Sequence, residues 1–422
     1  MDPARSLSIS KPLLQVNDRS ARLSVIARFP EGPQELWFAV PGAHAQKLSS
    51  ATCDAFVVAL YAAAAERGLD VRVDGPMSKL LLHSLNGQGG ELLHTLLSRA
   101  RKVRVHAEET HGQLWGGRGV YAGFSAGVDS FYTLMTHTRP DLPRDQRLIG
   151  LFFNNVGSHG PDELGAGMYA LRERRVRALA AQVGLPLITV SSNLHSLLRT
   201  SFQRTHTLRN VAVALLFQKV CGTFLYSSLV HYRDIKTRAV PDMSYADAVL
   251  LPLLRTETLT CQSTGGESTR FDKTRIVSKY PLSHSALDVC VSHRMSATIN
   301  CSACWKCLRT ELALELLGTL SRYESVFQIE RYRRCRTVYI ASVLHSRDPL
   351  LGELREQIEE LGFTPPVAAR VLGRLAPEAA LRALLRAYAR AYARRDAARF
   401  ELPKSPVPRP EPLAAGYVTQ RA

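Results

Sequence analysis

The sequence predicts an α/β protein. A doubly wound, parallel sheet is expected over residues 116–320, preceded by a small α+β domain over 1–115 and followed by a helical, basic extension over 321–400 and a proline-rich tail over 401–422. Three observations predict this. Between Gly119 and Gly318, apolar strand-like runs alternate with helical ones, the pattern of parallel pairing with both sheet faces covered. A turn rich in serine and glycine follows the first of these strands directly, and four cysteines crowd between Cys290 and Cys307.

Within 1–115, ARLSVIARF and ELWFAV alternate as strands do. Cys53 to Arg67 reads as a helix stopped by Gly68, and DVRVDG and KVRVHAEE as further half-buried strands. In the central region GVYAGF is a strand leading through SAGVDS into the helix SFYTLMTH. Then come the strand LIGLFFNN, the helix RERRVRALAAQVG closed by Gly184, the strand LPLITVSS, the helix LRNVAVALLFQKVCG and the strand TFLYSS. Ligands of such a sheet sit outside the carboxyl ends of its strands. After Leu320 the pattern is helical. Arg382, Arg386, Arg390 and Arg394 recur every four residues, and Leu381, Leu385, Tyr388 and Tyr392 fall on another face. That arrangement suits either a solvated face on a packed helix or a grip for an anionic partner. The prolines of PKSPVPRPEPLAAG favour an extended tail.

With 422 residues the chain exceeds the usual size of one domain. Its 45% hydrophobic and 22% charged residues are ordinary for a globular protein and argue against disorder or a fibre. The opening MDPARSLSISKP has no secretory signal pattern, and the most apolar run, Ala55 to Ala65, is far shorter than the ~20 residues that span a bilayer. The expectation is a cytoplasmic protein with that run as a core helix. Eight cysteines then point away from a disulfide framework. A net charge of +17 attracts polyanions such as ATP, nucleic acid or an acidic protein, and says nothing about the fold.

The turn Ser125-Ala126-Gly127-Val128-Asp129-Ser130 places hydroxyls, a glycine and free backbone N–H groups at a helix N-terminus, where a pyrophosphate fits. Gly127 permits close backbone approach, Ser125 and Ser130 can donate to phosphate oxygens, and Asp129 can cap the helix or help hold Mg²⁺. No GKS or GKT follows, so this is not a Walker A loop. Cys290, Cys301, Cys304 and Cys307 form a C-x10-C-x2-C-x2-C array. Four thiolates suit a closed, tetrahedral Zn²⁺ site, with an iron–sulfur cluster as the rival. His206, His231, His284 and His293 lie near these features, each with an ordinary packing role as the simplest reading; His293 would be the substitute ligand if one cysteine were free.

The turn resembles the SGGxDS signature of the PP-loop ATP pyrophosphatases, with Ala126 where that family has its second glycine. Joined to the distal cysteine array, it resembles the zinc-containing 7-cyano-7-deazaguanine synthases, the QueC family. Two further matches fall in order: Arg209-Asn210 resembles that family's Arg-Asn pair, and Lys273 in FDKTRIV its lysine ahead of the first zinc cysteine. The resemblance covers Gly119 to Gly318. With its added ends the chain is most similar in outline to the larger QueC-like proteins of bacterial anti-phage systems.

The resemblance implies an adenine nucleotide alpha hydrolase-like fold and an ATP- and Mg²⁺-dependent ligase. ATP would be split to AMP and pyrophosphate as the carboxylate of a 7-carboxy-7-deazaguanine is adenylated, and an amine, either ammonia or a protein N-terminus, would then displace AMP. It implies catalytic roles for Ser125, Asp129 and Lys273. Nucleotide contacts would come from Ser125, Gly127, Val128, Asp129, Ser130, Arg209 and Asn210, and zinc ligation from the four cysteines. The partners implied are ATP, a deazapurine and an acceptor protein. The alternatives are a tRNA-modifying PP-loop enzyme that uses the basic C-terminal helix on phosphates, and a nucleotide-binding scaffold whose turn is degenerate at Ala126.

Overall fold

Four strands precede the first helix among the described residues, the order being β1 (Ser6–Ile9), β2 (Leu13–Val16), β3 (Ser20–Phe29), β4 (Gly32–Pro41), α1 (Asp54–Arg67), β5 (Asp70–Ser78), α2 (Lys79–Asn86), α3 (Gln88–Leu97) and β6 (Val105–His111). The central region continues with β7 (Gly119–Gly123), α4 (Val128–His137), β8 (Leu148–Asn155), α5 (Glu163–Gln182), β9 (Leu187–Ser192), α6 (Leu194–Leu197), α7 (His206–Leu216), β10 (Cys221–Ser227), α8 (Asp247–Leu250) and β11 (Thr260–Thr264). Among the remaining described residues the elements are helices: α9 (Arg270–Val277), α10 (Pro281–Ala286), α11 (Trp305–Leu316), α12 (Ile329–His345), α13 (Pro349–Glu360), α14 (Val367–Leu375) and α15 (Glu378–Ala397). The computed structural model describes residues 5–97, 101–111, 116–160, 162–292 and 298–397. The tail expected over 401–422 and His293 lie outside the described residues.

Among the described residues the strands form one eleven-stranded sheet in the order β11-β10-β7-β8-β9-β4-β3-β1-β5-β6, with β2 paired to β3. Pairing is parallel from β11 through β9 and again through β1, β5 and β6; the β3–β4 hairpin lies between, antiparallel to its neighbours. The sheet thus crosses the boundary expected at residue 115 through the β4–β9 pair, in which Phe38 faces Ser192 and Ala39 faces Ser191. Side chains close that seam: Asn193 accepts from the Trp37 N–H at 3.0 Å and donates to the Glu35 carbonyl at 2.7 Å, and the Ser192 hydroxyl donates to the Trp37 carbonyl at 2.6 Å.

Alternation along the strands sends residues to two cores. Tyr121, Phe152, Ile188 and Phe224 join one with α1 and α7, while Val120, Ala122, Leu151, Phe153 and Leu225 join another with α4 and α5. Helices on both faces of a mostly parallel sheet are what a doubly wound fold requires. The Ala55–Ala65 run is buried throughout, as a core helix should be, and Gly68 ends it at φ +67°. One expectation is corrected: the helix expected over 208–222 instead runs from His206 to Leu216, because Cys221 already pairs with Gly119 on β7 as the first residue of β10. Among the described residues, no helix is long and apolar enough to cross a membrane.

The C-terminal helices build a third core around Tyr332, Tyr339, Ile340, Leu354 and Leu381. In α15, Leu381 is buried and Leu385 and Tyr388 pack against that core, whereas Arg382, Arg386, Arg390 and Arg394 are exposed, as the four-residue spacing predicts. The extension is tied to the central region through Glu353 on α13, whose carboxylate accepts the Arg270 N–H at the start of α9 at 2.8 Å.

Candidate functional site

In the sheet order, β7 connects onward to β8 on one side while β10 lies on its other side, so the direction of winding reverses between β7 and β10. That crossing point is where such folds open a crevice at the strand ends. The turn Ser125–Ser130 occupies it. Ala126 sits at φ +58°, in the left-handed region that favours glycine, and its carbonyl accepts the Asp288 N–H at 2.9 Å. Gly127 then enters α4 in an extended conformation, with no side chain capping the helix. A Cβ on Gly127 would meet the Ser125 hydroxyl oxygen at 3.4 Å and the Asp288 carbonyl oxygen at 3.6 Å, ordinary contacts. The chain's own packing therefore does not require glycine at 127; what a bare backbone offers is access to the N–H groups of the first helical turn.

The predicted residues of the turn have different surroundings. Ser125 is exposed, and the Ser130 hydroxyl donates to the Gly127 carbonyl at 3.0 Å. Val128 is wholly buried in the core, leaving only its backbone for a ligand. Asp129 pairs with Arg270 on α9 through one carboxylate oxygen and lies 3.7 Å from the Lys273 ammonium through the other. Arg270 and Lys273 reach it together because residues three apart share a helix face. Lys273 is completely buried, donates to the Ser228 carbonyl beyond β10 at 2.6 Å and lies over the Tyr132 ring. Burial lowers its pKa, and Asp129 works against that shift.

Arg270 was not among the residues the sequence pointed to, and neither were two further cations near Asp129. Lys306 lies between the last two cysteines, and burial, together with Arg270 and Arg309, pushes its ammonium down to about 8, against the pull of Asp129. Arg309, one turn further along α11, is 3% exposed. Its Nε and Nη2 have no hydrogen-bond partner among the described residues. Arg270 and Lys273 contact Asp129 in the first turn of α4, and Lys306 and Arg309 lie near enough to feel its charge, with Glu353 and Glu267 offsetting part of these four positive charges. Desolvated cations without partners are costly, so such a place is suited to a polyanion. A signal was available: Lys306 is the only lysine inside the cysteine array.

Arg209 and Asn210 stand across the crevice on α7. Arg209 is buried, with Nη1 donating to the Val156 carbonyl just beyond β8 at 2.7 Å and Nε to the Thr205 hydroxyl at 2.8 Å. Gly157, at φ +115°, makes room for it, since a Cβ there would meet Nη1 at 2.3 Å. Asn210 accepts from Asn154 at 2.9 Å and donates to the His206 carbonyl at 2.7 Å. Both predicted residues therefore sit at strand carboxyl ends, with Arg209 already engaged by the chain itself.

The ligand atoms of Cys290, Cys301, Cys304 and Cys307 lie within 4.8 Å of one another and can hold a metal ion. All four are free thiols. The Ser292 and Cys304 N–H groups point at the sulfurs of Cys290 and Cys301, each at 3.3 Å, and Ser302 takes φ +49° to turn the chain between two ligands. Arg172 on α5 ties this loop to the turn: Nη2 donates to the Cys290 carbonyl at 2.6 Å and Nε to the Asp288 carboxylate at 3.2 Å. The cysteine loop thus braces the turn through Asp288 and delivers Lys306 and Arg309 through α11. Of the histidines, His284 donates from Nε2 to the Ser278 carbonyl at 2.9 Å, and His231 caps a short helix; neither belongs to the cysteine cluster.

Fold and site together define a class: an α/β protein with a large, mostly parallel sheet, compatible with double winding, that carries a cation-ringed helix N-terminus at the crossing point and a four-cysteine cluster beside it. The chain matches no family model, no curated protein and no solved structure.

Proposed function

We propose that the protein is a QueC-like ATP pyrophosphatase that adenylates the carboxylate of a 7-carboxy-7-deazaguanine and joins it to an amine. The observation that carries this reading is the cluster of positive charge near the open N-terminus of α4, where Arg270, Lys273 and Arg309 are buried and Lys306 is half-buried. The N–H groups of Gly127 to Ser130 and these cations would cradle the β- and γ-phosphates and stabilise the charge that develops as pyrophosphate departs. Arg209 and Asn210, across the crevice, would border the nucleotide or the deazapurine.

When bound, Mg²⁺ would neutralise phosphate charge, and Asp129 is the carboxylate placed to hold it, with Oδ1 outside any hydrogen bond among the described residues. Zinc fits the cysteine cluster. Tetrahedral thiolates about 2.3 Å from the ion lie about 3.8 Å apart, and the sulfur pairs Cys290–Cys304, Cys301–Cys307 and Cys304–Cys307 are 4.0, 3.9 and 3.4 Å apart. With four protein ligands no position stays open, so its part is structural.

Ala126 favours an intact turn over a degenerate one, because its backbone adopts the left-handed conformation that glycine would take. The test is release of AMP and pyrophosphate from ATP and Mg²⁺ on addition of 7-carboxy-7-deazaguanine, with ammonia or a candidate acceptor protein. Turnover that depends on the carboxylate and is lost in Asp129→Asn supports the reading. Purified, metal-replete protein that forms no AMP under any of these conditions refutes it.

A further inference from the structure

On the α7 side of the crevice lies a titratable cluster that the steps above leave unused. His206 opens α7 and is 9% exposed. Its Nε2 lies 2.9 Å from Asp242, and its Nδ1 lies 2.6 Å from the Tyr226 hydroxyl. The His206 and Tyr226 rings stack with 9° between their planes. Asp242 is itself held by the Ser244 N–H at 2.9 Å. Tyr226 is the penultimate residue of β10, the strand beside β7 at the crossing point, and is half-buried.

The groups facing His206 define its charge. Burial opposes protonation, but the hydrogen bond to Asp242 and the charges of Asp247 and Asp242 outweigh it and hold its pKa above the ordinary value, with Lys306 acting the other way. Burial would raise Asp242, yet His206 and Ser244 hold it down at about 2, so it stays a carboxylate. Ionised Asp242 accepts a hydrogen bond from His206 Nε2–H, so once pH exceeds the raised pKa of His206 the neutral ring offers its Nδ1 lone pair to the Tyr226 hydroxyl.

We propose that Tyr226, backed by His206 and Asp242, is the base that receives the proton released when the amine attacks the acyl adenylate, an inference that rests on the adenylation reading. The amine nitrogen forms its bond to the carbonyl carbon, and the bond from that carbon to the AMP oxygen breaks, its electron pair leaving with AMP. The amine proton passes to the Tyr226 oxygen as the tyrosine's own proton moves to His206 Nδ1. The imidazolium is held by Asp242, whose side chain is 28% exposed and returns the proton to water. Tyr226 touches the reacting nitrogen; His206 and Asp242 are positioning residues that act through it.

A purely structural ion pair, pinning residues 242–247 to α7, makes a different prediction. Carboxylate-dependent exchange of pyrophosphate into ATP reports the first step, and amide formation in a single turnover reports the second. Tyr226→Phe and His206→Gln are expected to keep exchange within about threefold while slowing amide formation from ammonia about 100-fold. They should also flatten the rise of the amide-forming rate with pH. Hydroxylamine, unprotonated at neutral pH, should suffer a much smaller loss in the same variants. Equal loss of both steps, or unchanged amide formation, overturns the relay. Wild-type protein that shows neither carboxylate-dependent exchange of pyrophosphate into ATP nor AMP on turnover removes the adenylation reading, a separate failure that takes the relay with it.

Discussion

Ala126 shows how opposing terms of similar size decide a residue's effect. Its left-handed backbone costs about 1–2 kcal/mol. Replacing it with glycine relieves that cost but loosens the unfolded chain by about 0.5–1 kcal/mol and removes a buried methyl worth about 0.8 kcal/mol. Ala126→Gly is therefore expected to leave stability within about 1 kcal/mol of wild type in urea denaturation, whereas Ala126→Val, β-branched in the same conformation, loses more than about 2 kcal/mol. Asp247 carries a pH prediction. It is 1% exposed, and burial pushes its carboxyl up to about 6, although Thr207 donates to it at 2.6 Å. A folded pKa above the unfolded one means that the stabilisation is complete below the unfolded value and lost as pH rises through 6. Asp247→Asn, which keeps the acceptor for Thr207, should match wild type at pH 4 and exceed it at pH 8 by roughly 2–3 kcal/mol in thermal or urea unfolding. Equal stability at both pH values would refute the assignment.

At the scale of elements, the cysteine loop and the turn form one mechanical unit. Asp288 reaches the Ala126 carbonyl, Arg172 holds both Asp288 and Cys290, and α11 starts within the cysteine array. If the cysteine cluster holds a metal, removing it by chelation, or replacing the fully buried Cys307 by serine, is expected to raise amide hydrogen exchange across residues 124–131 at least about tenfold, because the brace is lost before the sheet unfolds. Unchanged protection of the turn in metal-free protein would show that the two are uncoupled. The strand–turn–helix at 119–137 was legible because its apolar run, glycine and serines are contiguous, and the array because its ligands are closely spaced. Arg270, Lys306 and Arg309 were not. Arginines are common throughout the sequence, and these three matter only because α9 and α11 pack with those faces toward Asp129.

Across the whole molecule, the β4–β9 seam makes the N-terminal and central regions share a sheet, and the first core contains residues of both. Asn193→Ala leaves the Trp37 N–H and Glu35 carbonyl without that partner and should cost about 1–3 kcal/mol. Variants keeping only Trp37 or only Trp305 as fluorophore should unfold at one urea midpoint if the seam makes the regions cooperative; two separated midpoints would show independent domains. The exposed arginines of α15 act outside this unit. If Arg386, Arg390 and Arg394 alone contact phosphates, tRNA affinity should fall roughly 40-fold between about 50 and 200 mM salt. A much weaker dependence would mean that this face does not bind nucleic acid through its charge.

The sequence by itself determined the alternation of strands and helices, the glycine-containing turn at the head of α4, the cysteine cluster and the two faces of α15, since each follows from local periodicity or ligand spacing. Tertiary structure alone decided that the N-terminal strands extend the same sheet, that Lys306 and Arg309 meet Arg270 and Lys273 around Asp129, and that His206 joins Asp242 to Tyr226. These contacts link residues far apart in the chain, and their geometry depends on how whole helices and strand edges pack. Short-range pattern carries no record of that packing.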